Sequence, residues 1–195
     1  MLNYNFAFKD YQIKIIQPMD IDSYYKFGFV EVSEETRYFT GTTEQFTKGQ
    51  AESYILKITE DSTQYDFLIS KIDEIIGEAV LSDIDDKNCH FRIGIFNKKN
   101  FSNGIGFSTI KILLDLAFGD LGLESVELEV FPFNERGIAL YSKLGFKLAD
   151  NIIDDEAKDP YRAINIMRLN KKIMLAVKLG MLTIHCNWTR KKTRH

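Results

Sequence analysis

The chain has 195 residues, 45% of them hydrophobic and 27% charged, which is typical of one globular domain with a full core. No stretch reaches about 18 uncharged apolar residues, so we expect no membrane span. The first residues lack the basic and apolar regions of a signal peptide, and we therefore expect a cytoplasmic protein. Two cysteines, Cys89 and Cys186, are too few for a disulfide framework, and no Cys/His spacing predicts a metal site.

The formal net charge of −3 is distributed unevenly along the chain. Seven of the 25 basic residues lie in residues 171–195, which contain no Asp or Glu, so residues 1–170 carry a formal charge of −10. An acidic body binds nucleic acid poorly and mildly favours cationic substrates. We divide the chain into a domain, residues 1–170, and a basic C-terminal extension, residues 171–195. The extension is a packed segment, a partner-binding segment or sequence with little selected function.

Hydrophobic periodicity and turn residues predict the elements of the first half. In chain order these are a strand at 11–16, a helix at 21–32, a loop at 33–41, a helix that follows Thr43 and runs to about residue 60, two strands at 66–70 and 75–81 joined by a hairpin at 71–74, and a third strand at 89–96.

The second half is predicted from an amphipathic run and its glycine stops. Its elements are a helix at 104–121 ended by Gly122, a strand at 126–130 ended by Pro132, a helix from Asn134 to Leu144 ended by Gly145, and strands at 146–148 and 163–169. The whole order predicts a mixed α/β domain with a mostly antiparallel central sheet flanked by helices and one central βαβ crossover.

A glycine-bearing turn, residues 100–107, follows a strand and opens the helix at 104–121. Gly104 and Gly106 permit close backbone approach, and the N–H groups at a helix start attract anions. The pattern predicts a phosphate-binding turn. No Gly-Lys-Ser/Thr follows, so it is not a P-loop, and a third glycine is missing for a dinucleotide-binding fingerprint.

This turn belongs to a series of segments that together resemble the GNAT superfamily of N-acetyltransferases. The segments are residues 77–85, 91–96, 101–106, 126–130, 133–134 and 140–146. The resemblance runs from about Tyr11 to Asn170 and is closest to the branch of ribosomal-protein N-terminal acetyltransferases and spermidine acetyltransferases. It implies an enzyme that moves an acetyl group from acetyl-CoA, as co-substrate, to an amine without a metal.

The resemblance also assigns residues to the cofactor. It implies that backbone N–H groups of the turn bind the pyrophosphate, that unpaired backbone groups at a splayed strand end bind the pantetheine arm, and that Asn134 contacts this arm. The residues concerned are Ile95, Phe96, Asn97, Ser102, Asn103, Gly104, Ile105, Gly106 and Asn134. Phe101 replaces the polar first residue of the family's loop, and Ser102 and Asn103 stand where Gly and Lys are frequent. We therefore expect a grip that depends on backbone amides more than on charge.

The catalytic assignments follow from the same resemblance. Tyr141 matches the tyrosine that protonates the leaving thiolate, although a core aromatic also fits its helix. Glu78 matches a glutamate common in this branch and is our candidate for the general base, with an ordered water or His90 as alternatives. Arg37 and Tyr38, between the first two helices, are expected to border the acceptor pocket.

We therefore predict an acetyl-CoA-dependent N-acetyltransferase in which a primary amine attacks the thioester directly. Polyamines, other small amines and protein N-termini remain open as acceptors. The alternative is a non-catalytic acyl-CoA-binding or regulatory module on the same fold, and a third reading is a nucleic-acid partner that uses the basic extension. The resemblance makes a homodimer possible.

Overall fold

The computed structural model describes residues 4–42, 44–72, 74–174 and 189–190. They form a mixed α/β fold whose sheet is mostly antiparallel and is flanked by helices, as the sequence predicted. The chain divides into two compact units. Unit 1 comprises Met1–Leu81, Ile93–Ile110 and Cys186–His195, and unit 2 comprises Ser82–Arg92 and Lys111–His185.

The strands of the described residues are β1 (Asn5–Phe8), β2 (Tyr11–Ile15), β3 (Tyr65–Lys71), β4 (Glu74–Ser82), β5 (Asn88–Ile95), β6 (Ser125–Val130), β7 (Lys147–Ile153), β8 (Ala163–Asn170) and β9 (Thr189–Arg190). The α-helices with assigned bounds are α1 (Ile21–Tyr25), α2 (Glu34–Thr40), α3 (Lys48–Glu60), α4 (Ile105–Asp115) and α5 (Glu135–Lys143). Two of them continue as π-helical turns, α1 over Lys26–Val30 and α4 over Leu116–Asp120.

Unit 1 contains an antiparallel arrangement in the order β4-β3-β2-β1-β9. Strand β3 is buried at every position from Asp66 to Ser70. Its register places Ile69 opposite Ile13 of β2 and Leu68 opposite Glu78 of β4. Three consecutive apolar residues, Phe67, Leu68 and Ile69, form the centre of this buried stretch, and the polar Asp66 and Ser70 are buried at its two ends.

Helices α1 and α3 cover this part of the sheet through a shared core. The buried members of the core are Ile16, Tyr24, Ile55, Ile58, Leu68, Ile75 and Phe96. A capping box starts α3, because the Thr47 hydroxyl accepts a hydrogen bond from the Gln50 N–H while the Gln50 side chain accepts one from the Thr47 N–H. Apolar burial of this kind supplies most of the stability of short helices.

Unit 2 contains the parallel pair of the fold. Strand β5 runs parallel to β6, with Cys89 opposite Val126, and helix α4 connects the two strands, so the predicted βαβ crossover is confirmed. Strand β8 pairs antiparallel with both β6 and β7. Gly122, with φ of +74°, ends the π-helical turn after α4, and Gly145, with φ of +98°, follows α5.

Four features of local structure differ from the prediction. The segment 33–41, predicted as a loop, contains helix α2, and the helix predicted to follow Thr43 begins only at Lys48. Strand β1 was not predicted, and β7 runs to Ile153 instead of ending at residue 148. In the C-terminal extension, residues 171–174 are helical and Met174 is buried, whereas residues 175–188 and 191–195 lie outside the described residues.

Candidate active site

The loop between β5 and α4 has a backbone shaped by two left-handed residues. Ser102 has φ of +63° and Gly104 has φ of +78°. The Asn97 Oδ1 accepts a hydrogen bond of 3.0 Å from the Lys99 N–H and so starts the single 3₁₀ turn that leads into this loop. The Gly104 carbonyl accepts the first bond of α4 from the Ser108 N–H, at 3.0 Å.

The consequence is an exposed loop that leads directly into the start of α4. The first N–H groups of a helix have no partner within the helix, and the helix dipole makes this end positive. A Cβ added at Gly104 would meet no atom within 4 Å among the described residues, so the backbone there borders open space. The predicted residues Ser102, Asn103 and Gly104 are all exposed in this loop.

The end of β5 differs from the prediction of unpaired backbone groups. The Phe96 N–H donates to the Ile76 carbonyl at 2.9 Å, and the Phe96 carbonyl accepts from the Ser33 N–H at 2.8 Å. The Ile95 carbonyl accepts from the Thr36 hydroxyl at 2.7 Å. The expectation is therefore wrong for both backbone groups of Phe96, since the strand end is tied to β4 and to the start of α2. A role for Ile95 and Asn97 in binding pantetheine stays a prediction.

Glu78 lies half-buried on β4 and is held by a tyrosine that the sequence reasoning missed. The Tyr24 hydroxyl of α1 donates to Glu78 Oε2 at 2.5 Å. Tyr24 is only 3% exposed, and its ring packs edge-on to Phe29 at 5.3 Å and against Phe96 at 6.3 Å. No sequence motif indicates the role of Tyr24. It lies within a predicted helix, and its hydrogen-bond partner Glu78 is 54 residues away along the chain.

A line of aromatic rings extends outward from this pair within unit 1. Phe29 stacks on Tyr25 at 6.0 Å and meets Phe46 edge-on at 5.4 Å, and Phe46 is partly exposed. The rings belong to α1, its π-helical turn and the segment before α3.

Arg37 and Tyr38, the predicted acceptor-pocket residues, both lie on α2. The Arg37 Nη2 donates to the Phe29 carbonyl at 2.6 Å and so ties α2 to the π-helical turn. Tyr38 is 45% exposed and its ring lies 5.4 Å from that of Phe39. Arg37 thus has a structural task in the described fold, and its contact with an acceptor stays a prediction.

Asn134 and Tyr141 belong to α5 in unit 2. The Asn134 Oδ1 accepts a hydrogen bond of 2.9 Å from the Gly137 N–H, which makes it the N-cap of the helix. A Cβ at Gly137 would lie 2.8 Å from the Asn134 amide, so the cap requires a glycine there. Tyr141 is buried beside Phe146, with ring centroids 6.0 Å apart.

Burial controls the chemistry of the Tyr141 phenol. Loss of solvent raises its pKa from 10.0 to about 12, and the positive charge of Arg136 lowers it only in part. The phenol therefore stays protonated near neutral pH and is a hydrogen-bond donor to any anion formed beside it.

Cys89 and His90 both lie within β5, close to its start. Cys89 is 3% exposed, and burial raises the pKa of its thiol from 9.0 to about 12, so it is not a ready nucleophile. His90 is half-buried on β5 opposite Glu127 of β6. Within the described residues, no group of three or more His, Cys, Asp or Glu side chains has a metal-binding arrangement. No helix in that part of the chain is long and apolar enough to cross a membrane.

The model of the acetyltransferase (GNAT) domain matches residues 13–147, more than half of the chain. The chain belongs to the GNAT acetyltransferases. The chain is 26% identical over 142 residues to acetyltransferase PseH of Campylobacter jejuni subsp. jejuni serotype O:23/36 (strain 81-176). The aligned residues cover 73% of this chain and 75% of that protein.

Solved structures share the fold of this GNAT acetyltransferase at low identity. The spermidine N-acetyltransferase of Vibrio cholerae, solved in complex with CoA and spermine, has a TM-score of 0.73 at 17% identity over 85% of this chain and 98% of its own. The ribosomal-protein-S5-alanine acetyltransferase of Vibrio fischeri has a TM-score of 0.74 at 17% identity over 85% and 96%. The match of the GNAT domain to residues 13–147 confirms the predicted family, and the roles of the individual site residues stay predictions.

Proposed function

We propose that this GNAT acetyltransferase binds acetyl-CoA at the loop before α4 and transfers the acetyl group to a primary amine. The observation that carries the proposal is the paired left-handed backbone at Ser102 and Gly104, which turns the chain into a helix start that faces open space. Backbone N–H groups hold a pyrophosphate there without a particular side chain. The loop therefore tolerates Phe101, Ser102 and Asn103 in place of the residues frequent in the family.

The proposed reaction is a direct attack in which all atoms are accounted for. The amine nitrogen bonds to the acetyl carbon, the carbon–sulfur bond breaks, and CoA leaves as a thiolate. An amine that is cationic in solution first gives one proton to solvent, and its nitrogen loses a second proton as the amide forms, which we assign to Glu78, directly or through water. The thiolate gains a proton from Tyr141. Solvent then takes the proton from Glu78 and returns one to the Tyr141 phenolate.

The state of Tyr141 supports a donor role. A phenol with a pKa of about 12 does not transfer its proton readily to a thiolate in water, since an ordinary thiol has a pKa of about 8.5. Burial that raises the pKa of the phenol also raises that of a thiol placed beside it. The phenol then stabilises the developing negative charge on sulfur by hydrogen bonding as the bond breaks.

Two observations support the proposed class of acceptor: the acidic charge of residues 1–170 and the substrates named for the structural relatives. The acidic body of the chain favours cationic substrates, and the structural relatives act on spermidine or on a ribosomal-protein alanine by their names. We propose a primary amine that is cationic in solution, either a polyamine or another small amine, or a protein N-terminus.

The test is calorimetry with acetyl-CoA followed by a thiol-release assay against polyamines, aminoglycosides, amino acids and peptides with free N-termini. We expect binding below millimolar concentration and turnover with at least one class. Failure to bind acetyl-CoA at these concentrations would contradict the proposal. Binding without turnover on any amine would favour the non-catalytic acyl-CoA-binding module instead.

A further inference from the structure

We infer that Tyr24 is a positioning residue for the Glu78 carboxylate, an inference that rests on the proposed role of Glu78 as the general base. Tyr24 lies on α1 and Glu78 on β4, and the phenol donates to Oε2 at 2.5 Å. A hydrogen bond from a hydroxyl to a carboxylate has a length of about 2.5–2.7 Å, so this contact is at the short, charge-assisted end of the range.

The phenol itself is held in place by packing. Its ring is 3% exposed and is bordered by Phe29 edge-on and by Phe96 at an angle of 52°. The Phe96 backbone is hydrogen-bonded to the Ile76 carbonyl of β4 and to the Ser33 N–H. The Phe96 ring that packs against the phenol is therefore itself anchored to the sheet. A donor with few rotamers open to it fixes its acceptor more tightly than a mobile one does.

A hydrogen bond to one carboxylate oxygen restricts the position of the other oxygen. The two oxygens of Glu78 are joined through the carboxyl carbon, so a phenol that holds Oε2 narrows the range of positions open to Oε1. A proton acceptor must lie within about 2.6–3.2 Å of the atom that loses the proton, and small losses of alignment lower the rate strongly. Tyr24 thus acts on the reaction through Glu78.

The backbone beside Glu78 also helps to position its carboxylate. A Cβ on Gly77 would lie 2.5 Å from the Gly94 carbonyl oxygen, so β4 and the end of β5 approach closely at this point. The π-helical turn Lys26–Val30 begins two residues after Tyr24 and presents the Phe29 carbonyl to Arg37. Local π-helical turns are frequent at functional sites, and this turn contains Phe29, whose ring packs edge-on to that of Tyr24.

The experiment compares two tyrosine–carboxylate pairs of the same unit. Tyr24→Phe keeps the ring and removes the hydroxyl. Its matched control is Tyr54→Phe, which removes a hydrogen bond of 2.6 Å from the Tyr54 hydroxyl to the buried carboxylate of Asp66. With the amine identified by the thiol-release screen, we expect kcat to fall about tenfold in Tyr24→Phe, with an unchanged KM for acetyl-CoA. Tyr54→Phe is expected to keep its kcat within about twofold.

A double-mutant cycle with Glu78→Gln separates positioning from general stabilisation. We expect Glu78→Gln to lower kcat about 100-fold, and Tyr24→Phe to add nothing further in that background. The inference is overturned if Tyr24→Phe leaves kcat unchanged, or lowers it by the same factor with Gln at position 78. It is also overturned if Glu78→Gln keeps full kcat. In that last case acetyl transfer by the wild-type chain still stands, so the two proposals fail separately.

Discussion

Gly104 has a backbone conformation that residues with a Cβ rarely adopt. Its φ is +78°, while a Cβ added there would meet no described atom within 4 Å, so conformation alone decides the effect of a substitution. For Gly104→Ala we expect the free energy of unfolding, measured with urea in the absence of acetyl-CoA, to fall by about 1 kcal/mol. The cause is that an alanine must be forced into the left-handed region.

The matched control for this substitution is Gly49→Ala on α3. A Cβ at Gly49 also meets no described atom within 4 Å, but the residue is helical. We expect this variant to gain up to about 1 kcal/mol, because alanine is the better helix former. An equal change in both variants would show that the Gly104 backbone is not strained by a side chain.

Tyr141→Phe removes the buried phenol hydroxyl and keeps the ring that packs on Phe146. We expect kcat to fall by about 10- to 100-fold while the Kd of acetyl-CoA stays the same, since the hydroxyl acts only as charge develops on sulfur. Calorimetry and steady-state kinetics check the two quantities. Tyr65→Phe, on β3, is the control for loss of a tyrosine hydroxyl, and unaltered turnover in Tyr141→Phe would remove Tyr141 from the mechanism.

At this scale the sequence predicted those residues whose roles depend on neighbours along the chain. The Asn134 cap and the glycine turn at Gly104 are local, and the structure contains both as predicted. The Tyr24 contact with Glu78 joins residues 54 positions apart, and the engaged backbone of Phe96 depends on Ser33 and Ile76. Such contacts follow from tertiary packing, which no local pattern contains.

Strands β4 and β5 approach so closely near Glu78 that position 77 of β4 has no room for a side chain. In Gly77→Ala the Cβ would lie 2.5 Å from the Gly94 carbonyl oxygen and 3.0 Å from Ile95 Cδ1. We expect the free energy of unfolding to fall by about 2–3 kcal/mol, because a backbone atom cannot yield as a flexible side chain can. Urea unfolding measures this change.

The neighbouring glycine gives a control on the other strand. A Cβ at Gly94 has Glu78 Cγ as its nearest atom, at 4.0 Å, which is an ordinary contact. We expect Gly94→Ala to alter the free energy of unfolding by less than about 1 kcal/mol. A loss in Gly94→Ala as large as that in Gly77→Ala would contradict the close approach of the two strands.

Helix α2 shows why one element was missed although its signals stand in the sequence. Ser33 caps the helix, Glu34 and Glu35 lie in its first turn, and Gly41 ends it with φ of +68°. At seven residues the helix is too short to show apolar periodicity, and isolated helices of this length are marginal in water. Tertiary bonds from Thr36 to Ile95 and from Arg37 to Phe29 hold it in place. The long amphipathic helix α4, in contrast, was predicted from its pattern alone.

At the scale of the whole chain, each of the two units contains some of the residues discussed above. Unit 1 contains the loop before α4, Glu78 and α2, while unit 2 contains Asn134, Tyr141 and Cys89. The acidic formal charge of residues 1–170 is a property of composition, and it could be read from the sequence in full. The fold class could be predicted from the order of the elements, because few topologies combine a βαβ crossover with antiparallel strands.

The buried Cys89 thiol links the stability of the molecule to alkaline pH. Burial raises its pKa from 9.0 to about 12, so the folded state keeps a proton that the unfolded chain releases above pH 9. Stability is therefore fully present below pH 9 and falls as pH rises from 9 towards 12. Tyr141, with its pKa raised from 10.0 to about 12, adds a second loss that begins only near pH 10. Between pH 8 and pH 10 the thiol contributes a loss of up to about 1.4 kcal/mol.

Cys89→Ala isolates this contribution, because both chains share every other titrating group. We expect the variant to be less stable than the wild type at pH 8, since a buried side chain is shortened. The difference between the two free energies of unfolding should then shrink by about 1 kcal/mol at pH 10, where the wild type alone has lost the thiol's contribution. Urea titrations at pH 8, 9 and 10 measure it. A difference that stays constant across this range would show that the folded thiol titrates as it does in the unfolded chain.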